Sequence, residues 1–210
     1  LGSTTTQTTI INRSLQLLGY KSVGSITDND RGARAMNRAY SPVKLTTLRS
    51  NFWSFAIMRA TLAASATPPP FGMNNYFPLP GDFLMLAMPD QLTNYPFGAI
   101  PMTPMMNTQY QDYQIENAGG ILAIASNQPA PLQIRYVSSN VTESMFDPCF
   151  EECFACNLAY NTCEELTQSN TKLTNIAAAY KDAVLLAKQR NAFEDQPIQP
   201  PVDSWILARM

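Results

Sequence analysis

The chain has no histidine. Without an imidazole it cannot run Ser-His-Asp or Cys-His catalysis, or ligate a metal through His. Charge is scarce too: 14% of residues are charged, against about a quarter in ordinary soluble proteins. The shortage is uneven, because no Lys or Arg occurs between Ala60 and Ile134. No apolar run reaches the roughly 18 residues a membrane-crossing helix needs. The opening LGSTTTQTTII has neither the basic start nor the apolar core of a secretory signal. Neither G-x-x-x-x-G-K nor G-x-G-x-x-G is found, so the sequence carries no phosphate loop and no dinucleotide fingerprint.

What is present is enough to fold. At 210 residues and 45% apolar content, the chain suits one large domain or two small ones with a real core. Low charge fits a subunit whose surface is partly covered in an assembly. It fits equally an ordinary Thr-, Asn- and Gln-rich soluble protein.

The organising stretch runs from Asp28 to Arg59. It holds six of the fourteen Lys and Arg residues (Arg31, Arg34, Arg38, Lys44, Arg49, Arg59) against Asp28 and Asp30, a local net of +4 in a chain of net −2. Before it, residues 4–18 read as a first helix with Ile11, Leu15 and Leu18 on one face and Gly19 as its stop. Val23 and Ile26 are expected to anchor the connector, and Asp28 or Asp30 to cap the next helix. That second helix is predicted from Asp30 to Ser50, with Ala33, Met36, Tyr40, Val43, Leu45 and Leu48 as its apolar stripe. Pro42 predicts a kink or break near Tyr40–Ser41. Phe52, Trp53 and Phe55 form an aromatic knot leading into a strand over residues 54–62.

Residues 60–134 carry Asp82, Asp90, Asp112 and Glu116 and no cation, and hold 11 of the 16 prolines. Short apolar stretches between turns (YFPLP, DFLMLAMP, QYQDYQIENAGG, GILAIAS, PLQIRYV) read as strands of a small β-domain, with Gly81-Asp82 and Gly119-Gly120 as turns. The Pro- and Met-rich stretch from Leu92 to Asn107 reads as a long projecting loop. Asp147-Pro148 starts a third helix running to Thr167, and a fourth runs from Thr171 to Phe193 with Leu173, Ile176, Ala177, Tyr180, Val184 and Ala187 inward. The expected fold class is α+β. An antiparallel-like bundle of about four helices (1–53 and 146–195) carries an inserted β-domain (54–145) and an extended C-terminal arm (196–210). The arm ends in Trp205, Ile206 and Leu207, a patch suited to docking on a partner.

No residue set reads as catalytic, and no cofactor or metal site is expected. Cys149, Cys153, Cys156 and Cys163 have the count of a zinc site, but their spacing lines them along one stripe of one helix, where they cannot close a tetrahedron. They read as small buried residues on a packing face. The acidic pairs Asp28/Asp30, Glu151/Glu152, Glu164/Glu165 and Glu194/Asp195 sit at helix starts or solvated faces, and nothing in the sequence would split their pKa values for acid–base work. Arg31, Arg34 and Arg38 share a helix face that suits phosphates, an ion-paired surface, or an acidic patch of a neighbouring copy.

Several stretches resemble, in order, the head-to-tail adaptor or tail tubular proteins of short-tailed bacteriophages. They are N-R-x-L-Q-L-L-G (Asn12 to Gly19), I-T-x-x-D-x-x-A-R-A-x-N-R-x-Y (Ile26 to Tyr40) and L-R-S-x-x-W-x-F-A-x-x-R-A-x-L-A (Leu48 to Ala63). Y-F-P-L-P-G-D-F-L (Tyr76 to Leu84), L-Q-I-R-Y-V (Leu132 to Val137) and F-D-P-x-F-x-E-x-x-A-x-x-L-A (Phe146 to Ala159) follow, so the resemblance spans Ile10 to Glu194. It implies a non-enzymatic structural protein of the virion, assembled in the host cytoplasm. Such a protein forms a homo-oligomeric ring, typically a dodecamer, under the capsid portal. It receives the tail nozzle or another tail protein, extends the DNA channel through which the genome is retained and ejected, and has no membrane partner. The Cys-lined third helix and the loop from Leu92 to Asn107 depart from the family pattern. Interaction with a neighbouring subunit or the portal is expected at Arg31, Arg34, Arg38, Trp205, Ile206 and Leu207. The alternatives are a peptidoglycan hydrolase of the tail and a nucleic-acid-binding module built on the basic helix.

Overall fold

The structure is a computed structural model and describes residues 5–87 and 113–194. The chain is α+β. Its long helices are α1 (Gln7–Leu17), α2 (Arg31–Arg49), α3 (Pro148–Thr167) and α4 (Asn170–Glu194). Each has a readable start or stop. Thr6 caps α1 through a reciprocal capping box with Thr9. Gly19, at φ +64°, closes α1: its amide donates to the Gln16 carbonyl and the Tyr20 amide to the Leu15 carbonyl, the paired bonds that end a helix through a left-handed residue. The Asp30 carboxylate accepts from the Gly32 amide at the start of α2, and Asp147 accepts from Cys149 and Phe150 with Pro148 in the first turn of α3.

The helices are arranged around α3, which packs on α1, α2 and α4 at once. Its buried residues therefore fall on every side: Phe150, Cys153, Phe154, Ala155, Cys156, Leu158, Ala159 and Cys163. Only its second half keeps a polar face, at exposed Tyr160, Asn161, Glu164 and Glu165. By contrast α4 packs mainly on α3, through Ile176 and Ala187 with Leu173, Tyr180 and Val184 beside them. Gln168, in the left-handed region at φ 50°, makes the tight reversal between α3 and α4.

The strands are β1 (Ile57–Leu62), β2 (Asn75–Pro78), β3 (Phe83–Leu86), β4 (Tyr113–Ala118), β5 (Ile121–Ser126) and β6 (Leu132–Ser138). They form two antiparallel three-stranded sheets, the first in the order β1-β6-β3 and the second β2-β5-β4. Gly119 and Gly120, at φ +66° and +97°, make the two-residue turn of the β4–β5 hairpin, a conformation that side-chain-bearing residues resist. The first sheet is the middle layer. Val137 on one face joins the helical core, while Leu132, Ile134 and Tyr136 on the other join Phe77 and Ile124 of the second sheet.

The passage from α2 to β1 is where the layers are fastened. Trp53, buried, lies in T-shaped contact with Phe150, and Phe150 stands 4.9 Å centroid to centroid from each of Trp53, Phe55 and Phe146, with Phe154 at 6.2 Å. The Asn191 side chain of α4 clamps the same passage. Its oxygen accepts from the Ser54 amide at 2.8 Å and its nitrogen donates to the Phe52 carbonyl at 2.7 Å, while the Ser54 hydroxyl donates to Glu194.

Three expectations are corrected. Of the kink or break expected near Tyr40–Ser41, the break is absent: α2 is one helix through Pro42. Pro42 faces solvent, so water can serve the carbonyl its ring leaves unbonded, while buried Tyr40 and Val43 hold the turns either side against the core. The apolar stripe of α2 includes buried Thr47, whereas Leu45 is exposed. Finally, the strand after Trp53 begins at Ile57, because residues Ser54–Ala56 form a 3-10 turn held by Asn191.

Candidate interaction surface

The three arginines expected to share a face do so. Arg31, Arg34 and Arg38, with Asn37, line an open cleft of ≈ 490 Å³ whose far wall is Glu165 near the end of α3. Arg31 donates to the Glu165 backbone carbonyl and Arg38 to its carboxylate. Two of the three guanidiniums are thus spent within the chain, one of them on the carbonyl end of α3, where a cation is favoured. Arg34 between them is exposed and joins no ion pair among the described residues. The face keeps a net charge of +2, three arginines against one glutamate, and offers donors to one further acid.

The acidic pairs are separated by their employment. Glu151 accepts from the Thr5 hydroxyl at 2.8 Å, and Glu152 takes Arg13 through two bonds of 2.8 and 2.6 Å. Asp28 accepts from the amides of Gly24 and Ser25. Asp30 caps α2 and pairs with Lys21 at 2.8 Å, and that lysine first, with the Gly32 amide, holds its carboxyl below the usual range. Glu194 accepts from Ser54. Asp195 lies outside the described residues.

Of the four cysteines of α3, Cys149 and Cys153 face α4. Arg190 of α4 acts on Cys149, Lys188 of α4 acts on Cys153, and Cys153 acts on Tyr180 of α4, whereas Cys156 is acted on by Glu152 and by Arg13 of α1. Burial pushes the Cys153 thiol up to about 12 and the Cys156 thiol up to about 11. Such thiols are inert packing groups rather than nucleophiles. Among the described residues, no three His, Cys, Asp or Glu side chains converge as a metal site, and no helix is long and apolar enough to cross a membrane.

Two polar sites were missed by the sequence reading. Lys44 donates to Glu143 at 2.9 Å and to the Val141 carbonyl at 2.7 Å, and lies 5.4 Å over the Phe146 ring, while the Tyr40 hydroxyl donates to Glu143 at 3.1 Å. Burial and the Glu143 carboxylate push the Tyr40 phenol far up. Burial alone would raise the Glu143 carboxyl, but the Lys44 and Tyr40 hydrogen bonds help bring it below its ordinary range. The second site is Thr47. It donates to the Val43 carbonyl and accepts from the buried Asn157 amide at 2.8 Å, while Trp53 donates to the Thr47 carbonyl at 3.0 Å. Counting the α2 stripe onward from Met36, Tyr40 and Val43 in steps of four and three lands on Thr47; favouring Leu45 for its hydrophobicity hid it.

Trp205, Ile206, Leu207 and the 92–107 loop lie outside the described residues. Comparison with known proteins finds no family model that matches the chain and no similar curated protein.

Proposed function

We propose that this chain is a structural subunit of the head-to-tail adaptor ring of a short-tailed bacteriophage. In that role a helix bundle with an inserted β-domain and a C-terminal arm joins the capsid portal to the tail and lengthens the DNA channel, in a ring of twelve copies. The observation that carries the reading is that the separated stretches behind the family resemblance meet in space as one frame. Arg13 of the first stretch pairs with Glu152 of the last. Trp53 and Phe55 of the third pack on Phe146 and Phe150 of the last. Asp82 of the fourth accepts from Tyr136 of the fifth at 3.2 Å and from Ser138 at 2.5 Å. The resembling residues thus tie helix to helix, the α2–β1 passage to α3, and the turn before β3 to β6, internal geometry that every copy of a ring must repeat.

In this reading the Arg31, Arg34 and Arg38 face meets a neighbouring subunit or the portal, and the C-terminal patch of Trp205, Ile206 and Leu207 docks on the portal. The cation-free stretch faces the channel or the nozzle, because Lys and Arg contacts to phosphates would hold DNA instead of letting it slide. Native mass measurement of the full chain mixed with its portal protein tests the reading. A large ring complex is expected, lost on removing the residues after Pro197. A chain that stays monomeric and ignores the portal overturns it. Zymography separates the hydrolase alternative: no lysis is expected, and lysis abolished by Glu151→Gln or Glu152→Gln would replace the adaptor reading.

A further inference from the structure

The fourth helix carries a second apolar face, turned away from α3. Its inner face, built on Ile176, Tyr180, Val184 and Ala187, packs on α3. On the outer side an apolar pair recurs every seven residues: Ala178-Ala179, Leu185-Leu186 and Ala192-Phe193, all exposed. Leu185 is 60% exposed, Leu186 48% and Phe193 83%. Seven residues make about two turns of α-helix, so the pairs line up along one stripe. A helix that is apolar on both sides is normally covered on both.

The sequence points to what covers it. The α4 of a second copy fits poorly, because between the apolar pairs the stripe meets Asp182 and Gln189, where a paired helix needs further apolar residues. A short apolar segment fits better, and one follows in the same chain: Trp205, Ile206 and Leu207, with Trp205 eleven residues after Glu194. At the roughly 3.1 Å per residue of a proline-rich extended segment, that length spans about 34 Å. Leu185 lies nine residues back from Glu194 along α4, about 14 Å at the helical rise. The segment can therefore reverse direction at the end of α4 and still reach the patch. Charge agrees. Exposed Lys181 and Lys188 flank Leu185 on neighbouring turns and join no ion pair among the described residues. Asp203 stands two residues before Trp205.

We propose that in the free chain Trp205, Ile206 and Leu207 dock on Leu185, Leu186 and Phe193 of the same copy, with Asp203 drawn to the lysines that flank Leu185. A tethered segment meets its site at an effective concentration of about millimolar, so a few apolar contacts suffice to hold it. Docking stores the indole against its own helix until a partner takes it away. The docking does not rest on the adaptor reading. Where both hold, the portal competes with α4 for one patch, and its binding uncovers the outer face of α4 for a further contact.

The test is acrylamide quenching of tryptophan fluorescence in the full chain with no partner present. Trp53 is 1% exposed, so the quenchable signal belongs to Trp205. In wild type Trp205 should be shielded, and quenched far less than in the same chain in urea. Leu185→Ser combined with Leu186→Ser should lower the docking equilibrium constant about tenfold or more and bring quenching up to that of a solvent-facing indole. Both leucines are exposed, so the thermal midpoint should stay near wild type. Ile121→Ser, at a residue 56% exposed on the second sheet, should leave quenching unchanged. Shielding should be equal at low and high protein concentration, and oxidation of Leu185→Cys with Ile206→Cys should give a cross-linked monomer. Trp205 freely quenched in wild type overturns the proposal, as does shielding that survives both serines. Shielding that grows with concentration, or a cross-linked dimer, assigns the face to a second copy and overturns docking within one chain. None of these outcomes measures portal binding, so failure here leaves the adaptor reading standing.

Discussion

Phe150→Ala should be among the costliest single substitutions in this chain. Phe150 has no exposed surface and lies among the rings of Trp53, Phe55, Phe146 and Phe154, three of them at 4.9 Å. These rings come from two distant parts of the chain, residues 53–55 and 146–154, and the backbone on both sides is held by other bonds, so the space cannot close. A buried Phe→Ala change costs about 3–5 kcal/mol, rising with the cavity left behind. The lost edge-to-face contacts, each worth about 0.5–1.5 kcal/mol beyond area, put this case at the upper end. We expect about 4–5 kcal/mol, a large share of the roughly 5–15 kcal/mol that holds a typical domain together. Phe150→Leu keeps much of the volume and should cost about half as much. The assay is urea unfolding at fixed protomer concentration, followed by Trp53 fluorescence in a Trp205→Phe background so that one indole reports. Phe71→Ala, at a residue 86% exposed, should change stability by less than about 0.5 kcal/mol. A loss below about 2 kcal/mol for Phe150→Ala would refute the idea that these rings form one unyielding cluster.

Thr47→Val should cost about 1–3 kcal/mol by stranding the buried Asn157 donor, and adding Asn157→Leu should recover part of that loss in the same unfolding assay. Acid should weaken the fold through Glu143. Its folded-state pKa lies below its ordinary value of 4.5, so its contribution is complete above that value and is lost as pH falls through the lower folded one. Urea midpoints measured against pH should therefore fall below about pH 4.5, less steeply in Glu143→Gln, whereas an identical slope in that variant would remove Glu143 as a source. Of the four free thiols, a disulfide reagent at pH 8 should reach only Cys149 in the native chain, and slowly, because burial and Asp147 raise its pKa; all four should react after unfolding. Rapid native labelling of Cys153 would contradict the α3–α4 packing.

Local chemistry was legible where one residue decides the geometry. Asp30 and Asp147 cap helices, Gly19 stops one, and Gly119-Gly120 turns a hairpin, each because of its own backbone or side-chain bonds. The shared face of Arg31, Arg34 and Arg38 followed from helical spacing alone. What could not be read was anything set by a distant partner. Glu165 as the mate of Arg31 and Arg38 is far off in sequence, and nothing local to α2 announces it. The enclosure of the first half of α3 also hid itself, since a helix covered on several sides loses the periodic pattern that identifies a packing face. The expected break at Pro42 failed for the opposite reason: a local rule about one hydrogen bond was overridden by the packing of Tyr40 and Val43 and by the solvent next to the proline.

The two bonds from Asn191 also define a load path. The last turn of α4 is tied by Asn191 to Phe52 and Ser54, and Glu194 accepts from the Ser54 hydroxyl. A pull applied at Glu194 is therefore delivered first to the passage between α2 and β1, on which the first sheet hangs, before it reaches the centre of the helices. Asn191→Ala combined with Ser54→Ala would cut that path without emptying any part of the core. Under tension α4 would then peel from α3 on its own, leaving the seat of the sheets undisturbed.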